Sequence, residues 1–280
     1  MESRSSSKLA LLYLLSAALL WSIGGLFIRL VELNPFAIAG IRSGIAACSL
    51  GVCCRSFKFT GSQAQIGSAI AYASTVFFFV LGIQWTTVAT TCFLQYTAPL
   101  YIALFSRCFL NEPLKRLDWI SMALVFPGIT LFFLDRLEIS HLKGNICSLI
   151  SGISLAWVTL FLRKQKESSS MESLILGNIL CFLLCTPFYF EKWPTFHDWT
   201  CLLILGIFQL GLSYWFYAQA LKYVNAIEAI LIPIIAPVLN PLWVLLFLGE
   251  VPGFWSLCGG VLVLGTVTFR SILFLKNNKH

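Results

Sequence analysis

The chain has 280 residues, of which 58% are hydrophobic and only 11% charged, with a net charge of +7. Soluble domains carry about 25% charged residues, so a soluble fold is excluded for want of polar side chains to cover its surface, and lipid is the expected solvent. The positive excess follows membrane topology along the chain and calls for no nucleic acid.

A hydrocarbon core about 30 Å thick takes roughly 20 apolar residues per helix. Residues 1–8 lead into a first apolar run over 9–31, too long for a signal-peptide core and read as a first span. Further runs follow at 35–54, 66–84, 86–107, 117–134, 144–163, 172–190, 199–221, 224–248 and 253–275. Helices are expected throughout, because open strands cannot satisfy their backbone in lipid and barrel strands would alternate polar and apolar residues in segments of about ten. The connections are short and carry turn chemistry, as at Leu33-Asn34-Pro35, Gly61-Ser62, Lys192-Trp193-Pro194 and Val251-Pro252-Gly253.

Ten spans with the N-terminus in the cytosol put fourteen basic residues inside: Arg4, Lys8, Arg55, Lys58, Arg107, Lys115, Arg116, Arg163, Lys164, Lys166, Lys222, Arg270, Lys276 and Lys279. Four lie outside, Arg29, Arg136, Lys143 and Lys192, and Arg42 lies within a span. This asymmetry predicts both termini inside, in a multi-pass protein of a bacterial inner membrane.

The chain repeats itself. Residues 98–113 read APLYIALFSRCFLNEP and residues 236–252 read APVLNPLWVLLFLGEVP; Glu112 and Glu250 follow Pro99 and Pro237 by 13 residues each, and the copies lie 138 residues apart. The first and sixth runs echo each other through Trp21 and Trp157. Two five-helix halves, 1–140 and 141–280, are therefore expected. Because five is odd, the second enters the membrane upside down, an inverted repeat of the kind found in alternating-access carriers. The fold class is thus an all-α integral membrane protein of ten transmembrane helices in two inverted five-helix repeats.

The first helix of each half carries a Trp among small residues (ALLWSIGG, SLAWVTL), and the second helix of the first half carries a Pro and then an Arg (NPFAIAGIRSGIAA). The fourth helices end in NEP and GEVP corners, and Gly-containing fifth helices follow (WISMALVFPGITLFF, WSLCGGVLVLGTVTF). This order of motifs resembles the drug/metabolite transporter superfamily, EamA type, with Asn111 standing where that family usually has Gly and Glu228 falling outside its general pattern. The resemblance implies transport; it leaves the substrate open.

Arg42, inside the second span, is expensive in lipid at roughly 2.5–3.5 kcal/mol on insertion scales. It reads as a cavity cation for a substrate carboxylate or phosphate, or as a structural Arg bonding helix carbonyls. Glu228, one turn into the ninth span, could hold a substrate ammonium or a proton, or favour a helix N-terminus. Gln95, Tyr96 and Gln209 should face the bundle, because polar groups are penalised against lipid, and Gln209, Ser213 and Tyr217 form a stripe at helical spacing. Trp21, Trp157, Tyr101 and Tyr214 could stack on a planar or cationic ligand or simply pack. Pro99 and Pro237 read as bending points, and Glu112 and Glu250 as structural corners.

Neither metal nor cofactor is expected. The ten cysteines are scattered as small buried hydrophobes, the three histidines sit near loops or the terminus, and no H-E-x-x-H, G-x-S-x-G or Walker loop occurs. The reading is a non-enzymatic secondary carrier, a monomer or weak dimer in the bilayer, that moves a small amino-acid-like metabolite, including the S-adenosylmethionine type, by alternating access. The alternatives are a channel or non-cycling scaffold of the same fold, or an exporter of cationic drugs or other metabolites.

Overall fold

The computed structural model describes residues 2–53, 59–134, 141–165, 170–236 and 254–277, with positions 239, 243, 246 and 247 between. Pro237 and Glu250 lie outside the described residues. Among the described residues all regular structure is helical: α1 (Glu2–Ser22), α2 (Gly24–Leu30), α3 (Pro35–Cys53), α4 (Gln63–Trp85), α5 (Val88–Gln95), α6 (Ala98–Leu110), α7 (Arg116–Leu134), α8 (Leu142–Lys164), α9 (Ser170–Leu184), α10 (Phe196–Leu203), a π-helical segment (Ile204–Leu212), α11 (Ser213–Ala220), α12 (Ala226–Leu231) and α13 (Phe254–Asn277). Short 3-10 turns follow α9 (Thr186–Phe188) and α12 (Ile232–Ile235).

Five described helical stretches are long and apolar enough to cross a membrane: Lys8–Leu30, Pro35–Val52, Gln63–Trp85, Leu142–Lys164 and Phe196–Ala220. Around a buried apolar core, the pattern of exposure departs from that of a soluble protein in two ways. Leu12, Leu104 and Leu246 are 60%, 68% and 72% exposed, whereas Arg42, Ser43, Ser148, Ser151, Asn178 and Ser213 are completely buried. Apolar side chains outside and polar ones inside are what a lipid solvent selects.

Several apolar runs break where the backbone has a reason to turn. The first is interrupted at Ile23, ahead of Gly24-Gly25, where α1 ends and α2 begins with the backbone still in the helical region. The fourth divides into α5 and α6 at Tyr96–Thr97, where the Tyr96 amide donates to Cys92 O at 2.9 Å and the Thr97 hydroxyl to Leu94 O at 2.6 Å. Pro99 thus lies in the first turn of α6, where its missing N–H forfeits no helical bond. Asn111 ends α6 with a left-handed φ of 56°, a conformation that asparagine tolerates better than most residues.

The centre of the bundle is the antiparallel pair α4 and α8. A Cβ at Gly144, at the start of α8, would lie 2.6 Å from the Trp85 carbonyl carbon at the end of α4, and one at Gly67, at the start of α4, would meet the Phe161 ring at the end of α8. Midway, the Ser74 and Ser154 hydroxyls bond at 2.8 Å. Two apolar clusters flank this pair, one built on α1, α3, α4, α9 and α11, the other on α6, α8 and α12. Trp21 and Trp157 pack against both clusters.

Candidate substrate cavity

A void opens between the two clusters, lined by Trp21 of α1, Arg42 of α3, Thr75 and Phe79 of α4, Gln95 and Tyr96 at the end of α5, Leu155 of α8, Gln209 of the π segment and Tyr214 of α11. It measures about 40 Å³, room for a few waters. An organic solute needs the surrounding helices to part.

Arg42 is the charged group of this void. It is completely buried. Its Nη1 donates to Gln209 Oε1 at 3.2 Å and its Nη2 to Val76 O at 2.9 Å, while Nε has no partner. Among the described residues no carboxylate lies within ion-pairing distance of it. A guanidinium held by two neutral oxygens keeps its full charge, and a buried charge without a counter-ion is costly. The sequence reason for its place is α3 itself: a 19-residue helix whose only charge must turn inward.

The other polar groups are tied into helix contacts. Gln95 Nε2 donates to Ser151 Oγ at 2.9 Å, which donates to Thr75 O at 3.0 Å. Tyr96 OH donates to Pro233 O at 3.4 Å. Tyr214 meets Trp21 edge-on with ring centroids 5.0 Å apart, and meets Tyr72 at 4.7 Å. Trp21 Nε1 is buried with no acceptor, so two orphan donors, on Trp21 and Arg42, belong to residues of the same void.

Six of the ten residues singled out in the sequence therefore converge: Trp21, Arg42, Gln95, Tyr96, Gln209 and Tyr214. The other four do not line the void. Tyr217 stands behind Trp21, with centroids 5.1 Å apart and its hydroxyl 2.8 Å from that of Thr159. Trp157 packs among Phe105, Phe109 and Phe161, and Tyr101 packs against the second cluster. Glu228 is used at the start of α12, where its Oε2 accepts the Asn225 amide at 3.2 Å; a carboxylate in the first helical turn satisfies an otherwise orphan donor. Thr75, Val76 and Phe79 of α4 line the void without having been singled out from the sequence; Val76 contributes its carbonyl oxygen to Arg42, and Thr75 and Phe79 lie four residues apart on one helix face.

Glu112 is a corner residue with a defined task. Its Oε1 pairs with Arg163 Nε at 2.7 Å and its Oε2 accepts the Ala226 amide at 3.1 Å, joining the ends of α6 and α8 to the start of α12.

The model of the EamA-like transporter family matches residues 8–134 and again 142–272. The chain belongs to the EamA-like transporter family. Its relatives are distant. An uncharacterized transporter of Archaeoglobus fulgidus is 22% identical over 253 residues, covering 90% of this chain and 92% of that protein. Human solute carrier family 35 member G1 is 22% identical, covering 92% and 77%, and the pseudopaline exporter CntI of Pseudomonas aeruginosa is 24% identical, covering 62% and 63%. A crystal structure superimposes with a TM-score of 0.80 over 96% of this chain and 98% of the other at 18% identity, a likeness of fold. This EamA protein is accordingly a multi-pass membrane transporter and not an enzyme, built of two EamA repeats.

Proposed function

We propose that this EamA protein is a secondary carrier of small organic acids, amino-acid-like solutes included, working by alternating access. The observation that carries the reading is Arg42: a fully buried guanidinium at a void, bonded only to neutral oxygens and with its Nε free. A ligand carboxylate would supply the missing counter-charge and acceptors, and the rings of Trp21, Phe79, Tyr96 and Tyr214 suit a flat or apolar body. A sulfonium-bearing solute of the S-adenosylmethionine type has less support, because no acidic side chain lines the void among the described residues. The relative named as an exporter supports outward transport.

Ten spans in two inverted halves remain the reading of the architecture. Support comes from which helices touch. Exchanging α1 with α8, α3 with α9 and α4 with α10–π–α11 turns the α1–α11 contact into α8–α4, and the α3–π contact into α9–α4; both members of each pair are present. Two arginines echo the relation. Arg29, ending α2, donates to Thr86 O just before α5, and Arg163, ending α8, donates to Leu221 O at 2.6 Å shortly before α12. Thr86 abuts the start of α8 and Arg163 its end, roughly 30 Å away for a 23-residue helix. Equivalent latches at opposite ends are what inversion requires.

The test is reconstitution in proteoliposomes. Saturable uptake of labelled organic acids, accelerated by unlabelled solute on the far side, is expected, with Arg42→Gln abolishing it at unchanged abundance. Unsaturable flux without acceleration marks a channel, and normal kinetics in R42Q removes Arg42 from the site.

A further inference from the structure

We infer that Gln209 sets the charge selectivity of the cavity, its neutral amide holding the Arg42 guanidinium in place while leaving the positive charge for the ligand. The inference rests on the organic-acid reading and goes beyond it to the residue that decides which charge is accepted.

Gln209 is positioned by an unusual backbone. The π-helical stretch Ile204–Leu212 runs for nine residues inside one continuous span; π geometry is rare and concentrates at functional sites. Two glycines press this stretch onto α3. A Cβ at Gly206 would lie 2.5 Å from Ile45 Cβ and 2.9 Å from the Arg42 carbonyl oxygen, and one at Gly211 would run into Ser49 Oγ. The element carrying Gln209 is thereby fixed against the element carrying Arg42. From the other side, a Cβ at Gly24 would lie 2.9 Å from Gln209 Nε2, so the amide rests on the bare backbone of α2.

The orientation of the amide follows from chemistry. A guanidinium only donates, so Oε1 must face Arg42, and it does at 3.2 Å. A glutamate has the same length and shape, and at this position would form an internal ion pair with Arg42. One substituted atom separates a void with net charge +1, open to an anion, from a neutral one whose guanidinium is already occupied. The present arrangement spends the whole positional effect of a partner and none of the charge.

The test uses the full chain, purified in detergent, with three probes of one shape and different charge: benzoate, benzamide and benzamidine. Ligand-induced thermal stabilisation gives the apparent affinity. Wild type is expected to prefer benzoate. Q209E is expected to bind benzoate about 10- to 100-fold more weakly, the range for a hydrogen-bonded charge, with benzamide unaffected. The double variant R42Q/Q209E is expected to prefer benzamidine. Benzoate binding by Q209E that is no more than about twofold weaker than wild type overturns the inference while leaving the organic-acid reading intact. A wild type that does not prefer benzoate over benzamide overturns that reading instead. Should Q209E fail to fold, a persisting benzoate preference in R42Q/Q209E overturns the inference as well.

Discussion

Glu112 and Arg163 form an ion pair at 2.7 Å with side chains only 20% and 12% exposed, and the second carboxylate oxygen of Glu112 accepts the first amide of α12. Arg163 spends its other donors on Leu221 O and Asn225 Oδ1. Three chain segments distant in sequence are thus joined through two side chains. Exposed pairs contribute little, but this one is mostly withdrawn from solvent, and each nitrogen of the guanidinium and each oxygen of the carboxylate has a hydrogen-bond partner. Glu112→Gln keeps the shape and removes the charge. It is expected to lower stability by roughly 1–3 kcal/mol, measured by thermal unfolding in detergent. Combined with Arg163→Gln, the loss should be less than the sum of the two single losses.

The sign of a glycine replacement depends on what the new methyl meets. At Gly152, midway along α8, it would lie 2.7 Å from Leu94 O and 3.0 Å from Gln95 O, both backbone atoms that cannot swing aside. Gly152→Ala is expected to destabilise by roughly 1–3 kcal/mol and to weaken ligand binding, because Gln95 lines the void. At Gly51 nothing lies within 4 Å, so Gly51→Ala should be neutral or stabilising by up to about 1 kcal/mol through helix propensity. Opposite signs in the two melting curves are the expected outcome.

Much of the cavity was legible because lipid leaves polar side chains so few places to go. Arg42, Gln95 and Gln209 interrupt apolar runs, and all three face the void. The aromatic residues carried no such constraint: Trp157 and Tyr101 are as much at home in a core as beside a ligand, and only packing separates them from Trp21 and Tyr214. Glu228 has one sequence signature for two tasks, since a carboxylate one turn into a helix serves a substrate or the helix start equally well. The π segment has no compositional signal at all. It coincides with the close approach of Gly206 and Gly211 to α3, a tertiary contact between segments far apart in sequence. The expected helical stripe of Gln209, Ser213 and Tyr217 nonetheless turns inward, with all three buried.

Glu228 offers a direct contrast with Arg42. Its carboxylate accepts the Asn225 amide at 3.2 Å and lies apart from the residues of the void. Glu228→Gln retains an acceptor of the same reach, and Glu228→Ala removes it. The alanine variant is expected to lose about 0.5–2 kcal/mol of stability, the cost of a lost helix cap, with transport affinity unchanged. The glutamine variant should be close to wild type in both. A large rise in the half-saturation concentration of E228Q would return Glu228 to the site.

The count of crossings can be tested at two exposed positions. Gln63 opens α4, and Trp193, 75% exposed, lies between α9 and α10. In the ten-span reading five crossings separate them, an odd number, so they lie on opposite sides of the membrane. In a cysteine-free background, a membrane-impermeant maleimide applied to intact cells is expected to label W193C and to reach Q63C only after permeabilisation. The basic residues set that direction, because Lys58 and Arg55 fall near Gln63 and the cytosolic side collects the positive charge. Labelling of both from outside would mean an even number of crossings between them. The second half would then not be inverted against the first, and two equivalent arginine latches could not stand at opposite ends of the bundle.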